Sequence, residues 1–438
     1  MNILVIGSGA REHALFKALH RSPHKTSLFC YGTAINPGIH QLTNQYCTGD
    51  ITDCAAVVSM AKLWGIELVI IGPEAPLEKG MADAFWQAGI PTIGPKKILA
   101  QIETSKEFAR DLMQKHRIAG LPRYKKFTTL NHVEDFLNEL GEGNYVIKAN
   151  GLMGGKGVKV AGDHLHSITE ALGFCQEILD KKQTILIEEK LIGQEFSFMC
   201  FADGKKLVPM PLVQDHKRAY NGDKGPNTGG MGSYSDTDHR LPFLTPNDVD
   251  EALAINKAVF QALSTECGEP YIGILYGSFI ATKSGIYVIE FNARFGDPEA
   301  LNVLSILESD FVALCQAMVN GNLTEENVKF SKQATVCKYA VPEGYPDAPQ
   351  KNFIVDFSRV AHQDHLYLSS VNQVDDQIVA EGSRTAAYVG IADTIFAAEQ
   401  HAEHEISSIE GPLFHRQDIG TQQLIQQRID HMQRIRAL

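Results

Sequence analysis

The stretch Val288-Ile289-Glu290-Phe291-Asn292-Ala293-Arg294-Phe295-Gly296-Asp297-Pro298-Glu299 sets a carboxylate, an amide oxygen and a guanidinium at the end of one predicted strand. Residues 286–292 are apolar and β-branched enough for a strand. A Lys283-Ser284-Gly285 turn joins them to the apolar run 278–282, so the two read as a hairpin. Alternation along a strand points Glu290 and Asn292 the same way and Phe291 into the opposite layer. A carboxylate beside an amide oxygen suits Mg²⁺, which takes a few protein oxygens and completes its shell with water and substrate phosphates. Arg294 adds a planar fork for a carboxylate or phosphoryl group. Asp297 and Pro298 read as a helix start, with Asp as N-cap and Pro at the first helical position. The competing reading is a buried strand whose Glu290 is merely paired with Arg294, since a buried charge persists only when paired.

With 438 residues, 44% hydrophobic and 21% charged, the composition is that of a globular chain of several domains. No apolar run approaches the ~18 residues of a membrane span. Residues 2–6 run straight into a glycine turn with no basic region before them, so no signal peptide is expected. The eight cysteines are scattered without a C-x-x-C pair. Neither a zinc cage nor a disulfide framework is therefore expected, and a reducing cytoplasm fits best. A formal net charge of −12 argues against non-specific nucleic-acid binding; an anionic ligand must be held by local cations in a cleft.

Over the first hundred residues, short apolar strands alternate with helical patterns. Residues 2–6 lead to a glycine turn and a helix from about Glu12, 68–71 end at Gly72-Pro73-Glu74, and 91–93 end at Gly94-Pro95. Such a βα series predicts a parallel sheet with ligands at the carboxyl ends of its strands. The turn Gly7-Ser8-Gly9-Ala10-Arg11-Glu12 departs from G-x-G-x-x-G at its third glycine, where a long acid would crowd helix against strand. The next strand, around 27–31, has no acid at its end for a ribose hydroxyl, so an NAD site is not expected. The turn reads equally as an anion site of backbone donors, with Arg11 and His13 adding to it, or as a structural tight turn.

From roughly Ile102 to Lys329, Tyr145-Val146-Ile147-Lys148-Ala149-Asn150 reads as a strand, Gly151-Leu152-Met153-Gly154-Gly155-Lys156-Gly157 as a loop and Val158-Lys159-Val160 as the return strand. A Walker A loop needs Ser or Thr after the lysine and a helix beyond it, and this loop has neither. Four glycines between two strands can instead close backbone donors over phosphates, with Lys148 and Lys156 supplying charge; an inert glycine hairpin is the alternative. The apolar strand 185–189 ends in Glu188 and Glu189, with Glu195 six residues beyond. These acids either hold a ribose or are solvated charge. Asp215-His216-Lys217-Arg218 follows, then a loop from Gly225 to Gly232 too polar and glycine-rich for core, and so functional or disordered. From about Phe330 come a strand over 385–391, a helix capped by Asp393 and a final helix over 421–437. In that last helix Leu424, Ile425, Ile429, Met432 and Ile435 fall close to one face, which is expected to dock on its own domain.

Together, the glycine hairpin with Lys148 and Lys156, the acid-ended strand at Glu188 and the Glu290/Asn292 pair resemble the ATP-grasp fold, in which two α+β lobes clamp ATP behind a βα domain that binds a co-substrate. Over nearly its whole length the chain is further similar to the glycinamide ribonucleotide synthetase family. The matching words are Arg11-Glu12-His13-Ala14, Gly72-Pro73-Glu74-Ala75-Pro76-Leu77, Asp215-His216-Lys217-Arg218, residues 226–232, residues 294–299 and Arg416-Gln417-Asp418-Ile419-Gly420. The resemblance implies a mixed α/β and α+β architecture: an N-terminal parallel βα domain (1–102), an ATP-grasp clamp (103–329) with a mobile lid subdomain at about 122–190, and a small mixed C-terminal domain (330–438). It also implies a cytoplasmic ligase of purine biosynthesis, a monomer or homodimer, with small-molecule substrates and neither nucleic-acid nor membrane partners.

In the implied reaction, ATP phosphorylates the carboxylate of glycine, and the amine of 5-phosphoribosylamine then displaces phosphate to form an amide. Carried over by position, Glu290 and Asn292 hold Mg²⁺ or Mn²⁺. Lys106, Lys148, Gly151, Gly154, Gly155, Lys156 and Gly157 hold the ATP phosphates; Glu188, Glu189 and Leu191 line the adenine pocket, with Glu195 on the ribose. Arg294 and Lys148 are the catalytic pair, and phosphoryl transfer asks mainly for such positioning and charge neutralisation. Gly9, Arg11, Glu12, Glu74, Asp215, Lys217, Asn227, Gly229, Gly230, Arg294 and Arg384 are the implied substrate contacts. Ala10, Lys190, Ser278, Leu301 and Ser383 depart from the family pattern without removing a metal or phosphate ligand; Ala10 and Leu301 bear on substrate identity. The rival readings are a carboxylate-amine ligase with another acid or amine, a non-catalytic nucleotide sensor, and a dehydrogenase using the first domain. Glu290, Asn292, Lys148 and Arg294 speak against the sensor, and Glu12 against the dehydrogenase.

Overall fold

The computed structural model describes residues 1–151 and 157–437; Leu152, Met153, Gly154, Gly155 and Lys156 of the glycine loop lie outside the described residues. Strands β1 (Asn2–Ile6), β2 (Ser27–Gly32), β3 (Gln45–Thr48), β4 (Leu68–Ile71) and β5 (Thr92–Ile93) form one sheet in the order β3-β2-β1-β4-β5. Every pairing in it is parallel, as the βα series predicts. The first helix spans Ala10–His20, starting two residues before the expected Glu12. Glu12 does not force helix and strand apart, because its carboxylate folds back to accept a hydrogen bond from the Gly9 N–H at 2.7 Å. The room comes from glycine: a Cβ on Gly72 would stand 2.1 Å from Glu12 Oε1.

A second sheet, antiparallel, orders β6 (Tyr124–Phe127), β7 (Tyr145–Ala149), β8 (Val158–Val160) and β9 (Ile185–Glu189) as β6-β9-β7-β8. Helices Val133–Leu140 and Ile168–Asp180 cover it, and Phe136, Ile147, Phe174 and Ile187 belong to an apolar cluster of its own. The third sheet is built on β10 (Gln194–Asp203), which pairs with β11 (Leu207–Pro209). Four short strands follow: β12 (Gln214–Asp215), β13 (Arg218–Tyr220), β14 (Lys224–Asn227) and β15 (Gly232–Ser235). The expected loop over 225–232 is therefore partly regular, since β13 pairs with β14 and Met231 is buried.

Strands β16 (Ile272–Thr282) and β17 (Gly285–Asn292) complete the third sheet, in the order β11-β10-β16-β17, and form the predicted hairpin around Lys283 and Ser284. The ladder slips once: Ser278 faces Glu290 and Phe279 faces Val288, leaving Ile289 with no residue opposite. This bulge changes the phase of the strand. Ile286 and Val288 lie in the core before it and Phe291 after it, so Glu290 and Asn292 leave the face that simple alternation from Val288 would give them.

The last third is stitched to the centre, because β18 (Ala334–Pro342) joins β15 to strands Ala386–Ala392 and Leu366–Leu368 in a larger sheet. Three expectations are corrected here. Helix Ile395–Ile406 is capped by Thr394 rather than Asp393, because Thr394 has the extended backbone of an N-cap and its side chain accepts from the Ala397 N–H. Pro298, not Asp297, precedes helix Glu299–Ser305; the Asp297 carboxylate is taken by Arg384 at 3.2 Å and by the Tyr339 hydroxyl at 2.5 Å. The final helix, Gln422–Ala437, packs on β10 and β16 rather than on the last third, with Gln194 Nε2 2.7 Å from His431 Nδ1 and Arg436 2.8 Å from Asp248. Ala10 and Leu301 are fully buried in apolar packing, so these two departures act on the core.

Gly72→Ala should destabilise the protein by ~1–3 kcal/mol, because the new methyl displaces a carboxylate already held by Gly9 and Arg11. Thermal melts check this, and an unchanged midpoint would show that Glu12 is free to move.

Candidate active site

The candidate site is built where three layers meet. Lys148 on β7 points at Glu188 on the neighbouring β9, with Nζ 2.7 Å from Oε2. Arg110, on helix Lys106–Lys115, holds the same carboxylate bidentately at 2.5 and 3.0 Å. Burial alone would raise the Glu188 pKa, but Arg110 and Lys148 bring it down to about 2. The Glu188 carboxylate is thus fully engaged within the protein. Glu189 accepts from the Arg123 N–H at 2.7 Å, and Lys190 donates to the Ala161 carbonyl at 2.7 Å. Leu191 follows on the connection to β10, where Glu195 is exposed and 3.4 Å from Lys217 Nζ.

Glu290 stands apart from all these pairs. Among the described residues its carboxylate has no hydrogen bond or ion pair, so the reading that merely pairs it with Arg294 fails. Burial pushes its pKa up, while Lys217, Lys148, Lys106 and Arg294 around it bring the carboxyl below its ordinary value. Asn292, beside it, is buried with no hydrogen bond from its amide among the described residues. An ionised carboxylate and an amide oxygen without protein partners fit a hard divalent cation. No group of three or more His, Cys, Asp or Glu side chains gathers as a metal cage among the described residues.

The surrounding cations are fixed from behind. Lys106 donates to the Gly151 carbonyl at 2.8 Å, anchoring the entry of the glycine loop. Gly157, at its exit, accepts from the Ala149 N–H at 2.8 Å. Arg294 lies 2.8 Å from Glu103 and 3.3 Å from Glu74, at the ends of segments that follow β5 and β4. Lys217 has its pKa raised by Glu195 above all. Asp215 is shifted the other way from an ordinary ionised acid: burial and the nearby Glu299 raise its pKa well above the usual range. Glu299 in turn accepts from Ser197 at 2.8 Å and Tyr276 at 2.5 Å.

Family models for the phosphoribosylglycinamide synthetase N domain, ATP-grasp (A) domain and C domain match residues 1–103, 104–300 and 335–422. The phosphoribosylamine–glycine ligase of Methanosarcina barkeri is 49% identical over 437 residues, covering 100% of both chains. The chain belongs to this family. The ligase of the same name from Methanothermobacter thermautotrophicus is 43% identical over 445 residues, again covering 100% of both. The crystal structure of phosphoribosylamine–glycine ligase from Thermotoga maritima superposes with a TM-score of 0.80 at 26% identity, covering 95% of this chain and 100% of that one. Biotin carboxylase from Campylobacter jejuni shares the fold, with a TM-score of 0.72 at 13% identity over 99% and 95% of the two chains. ATP-grasp ligases use ATP, and this chain is one by family.

Other assigned residues of the ligase lie further out. Arg11 is buried, with Nε 2.6 Å from Glu12 and a guanidinium nitrogen 3.2 Å from the Phe295 carbonyl. Part of the first turn is engaged within the chain: the Gly9 N–H is spent on Glu12, and His13, which accepts from the Leu368 N–H at 2.9 Å, adds no donor to it. Burial, with Lys17 nearby, holds the His13 pKa well below its ordinary value. Arg384 donates to the Gly229, Gly230 and Asp297 carbonyls at 2.8–3.0 Å, which fixes the loop after Asn227. Sequence reasoning missed Glu103, Arg110 and Glu299. A signal existed for two of them: Arg110 falls on its helix beside buried Ala109 and Met113, and Glu103 beside Leu99 and Ala100. A charge on an apolar face implies a buried partner.

Glu188→Gln leaves Arg110 and Lys148 uncompensated and should cost roughly 3–5 kcal/mol near neutral pH. The carboxyl titrates at about 2 in the folded chain against an ordinary 4.5, so its stabilisation is complete above 4.5 and lost as pH falls toward 2. Melts in that window should show a shallower acid slope for Glu188→Gln than for the wild type; equal slopes would contradict the pairing.

Proposed function

We propose that the chain joins glycine to 5-phosphoribosylamine using ATP, giving glycinamide ribonucleotide, ADP and phosphate. The carrying observation is Glu290, without a hydrogen bond or ion pair among the described residues and set among Lys106, Lys148, Lys217 and Arg294, in a chain of this family. The γ-phosphoryl group passes to a glycine carboxylate oxygen and ADP leaves. The amine nitrogen of 5-phosphoribosylamine then attacks the acyl carbon, the bond to the phosphate oxygen breaks, and the nitrogen loses a proton as the amide forms. A Mg²⁺ or Mn²⁺ ion at Glu290 and Asn292, when bound, neutralises charge on the phosphoryl oxygens.

Lys106 and Lys148 hold the phosphates, with Gly151 and Gly157 framing the loop that carries Gly154, Gly155 and Lys156. Glu189 and Leu191 take the adenine end and Glu195 the ribose, while Glu188 serves by aiming Lys148. Arg294, held by Glu74 and Glu103, turns its remaining donors toward the glycyl phosphate. Asp215, Lys217 and the loop Asn227-Thr228-Gly229-Gly230 fixed by Arg384 face the acid substrate. Gly9, Arg11 and Glu12 shape the first sheet's end for the sugar phosphate. The working division is 1–102, 103–329 with a lid at about 122–190, and 330–438; the separate apolar cluster beneath β6–β9 supports the lid. A cytoplasmic setting accords with eight unpaired cysteines, and no described helix is long and apolar enough to cross a membrane.

Purified protein with Mg-ATP should release ADP only when glycine is present and form amide only with phosphoribosylamine as well. Amide formation from another acid or amine would keep the ligase chemistry and overturn the substrates. Glu290→Ala should lower kcat by ~10³-fold or more with the fold retained by circular dichroism, since charge neutralisation acts on the chemical step. Near-normal turnover would end the metal assignment.

A further inference from the structure

We infer that Arg110 is a positioning residue that couples the lid sheet to the metal-bearing strand, by holding the Glu188 carboxylate and the free carbonyl of Ile289 on one guanidinium. The inference rests on the proposed function in taking Glu290 as a metal ligand. Arg110 is 2% exposed, and its Nη2 donates at 3.0 Å to Glu188 on β9, at 3.1 Å to the Val288 carbonyl and at 2.8 Å to the Ile289 carbonyl on β17. Lys148 reaches the same two residues, Glu188 at 2.7 Å and the Ile289 carbonyl at 3.2 Å. One helix residue and one lid residue thus share one acid and one backbone carbonyl.

The bulge explains why that carbonyl matters. Ile289 has no residue opposite it on β16, and its carbonyl is taken outside the ladder, by Arg110 and Lys148. The Ile289 carbonyl lies in the same rigid peptide plane as the Glu290 nitrogen, so holding the carbonyl fixes one side of the Glu290 backbone. Arg110 therefore sets the aim of Glu290 without touching a ligand. A lysine at this position would supply the charge but not the fork, which here spans a carboxylate and two carbonyls. Because Glu188 sits on the lid sheet, movement of β7 and β9 is felt at Ile289 through the same guanidinium.

The test compares wild type, Arg110→Lys and Arg110→Met, the last of which removes the guanidinium and leaves Glu188 paired with Lys148. Mn²⁺ binding in the presence of ATP and absence of glycine is read by electron paramagnetic resonance, beside melting midpoints. The Mg²⁺ concentration for half-maximal glycine-dependent ADP release is read separately. Arg110→Lys should weaken Mn²⁺ binding and raise the Mg²⁺ requirement by about 10-fold or more, as loss of an outer partner of a metal ligand does, with the KM for glycine within about twofold of wild type. Arg110→Met, with Glu188 still paired to Lys148, should fold and bind Mn²⁺ as weakly. Wild-type Mn²⁺ affinity in Arg110→Lys with only a lowered melting midpoint would make Arg110 merely structural and overturn the inference, as would wild-type affinity in Arg110→Met. If wild type releases no ADP with glycine, the substrate reading falls, while the Mn²⁺ comparison still decides the coupling.

Discussion

Lys106, Lys148, Lys217 and Arg294 all act on Glu290, and like charges gathered that closely repel unless acids stand behind them. The chain meets this constraint with acids drawn from different layers. Glu188 of the second sheet backs Lys148, Glu195 at the start of the third sheet backs Lys217, and Glu74 and Glu103 after the strands of the parallel sheet back Arg294. Each pair is long-range in sequence, so charge balance and the assembly of the layers are the same problem. Glu290 is the exception: among the described residues its carboxylate has no hydrogen bond or ion pair, as the proposed cation site requires.

The same economy of charge governs the first turn. A helix N-terminus at the end of a parallel strand is a ready anion site, yet Glu12 fills part of it from within and is joined there by Arg11. Gly7 and Gly72 make this possible by leaving space that any Cβ would occupy. His13, neutral and buried, serves as an acceptor for the last third of the chain rather than as a donor to an anion. Farther on, buried Lys338 lies between Glu399 at 2.7 Å and Glu403 at 2.6 Å, and Arg416 between Asp223 at 3.0 Å and Asp418 at 2.8 Å. The Lys338 pairs hold the last third together, while Arg416 on Asp223 ties it to the centre, as does the final helix on β10 and β16.

Local sequence was sufficient for elements whose causes are local. The strands at 145–149 and 185–189 follow from apolar runs, the hairpin at 282–285 from its turn residues, and the parallel order of the first sheet from alternating strands and helices. The chemical types at the candidate site were legible too, because Glu290, Asn292, Arg294, Lys148 and Lys106 are polar groups next to apolar strands or glycine turns. Caps were not: Thr394 and Pro298 took the places expected of Asp393 and Asp297, since an N-cap is chosen by backbone angle and by whether the side chain is already engaged.

By itself, the sequence determined the strands, the family and the inventory of charges, all of which depend on residue type and order. Only the tertiary structure decided which charges meet. Alternation puts Glu290 on one face with Asn292, but the bulge at Ile289 decides that this face is not the one filled by Val288. Arg110 and Glu103 became site residues only when their helices laid them against β17, beside Ile289 and Ala293. The physical reason is that a buried charge is stable only beside its partner, and a partner 78 or 190 positions away is supplied by packing, not by any local pattern.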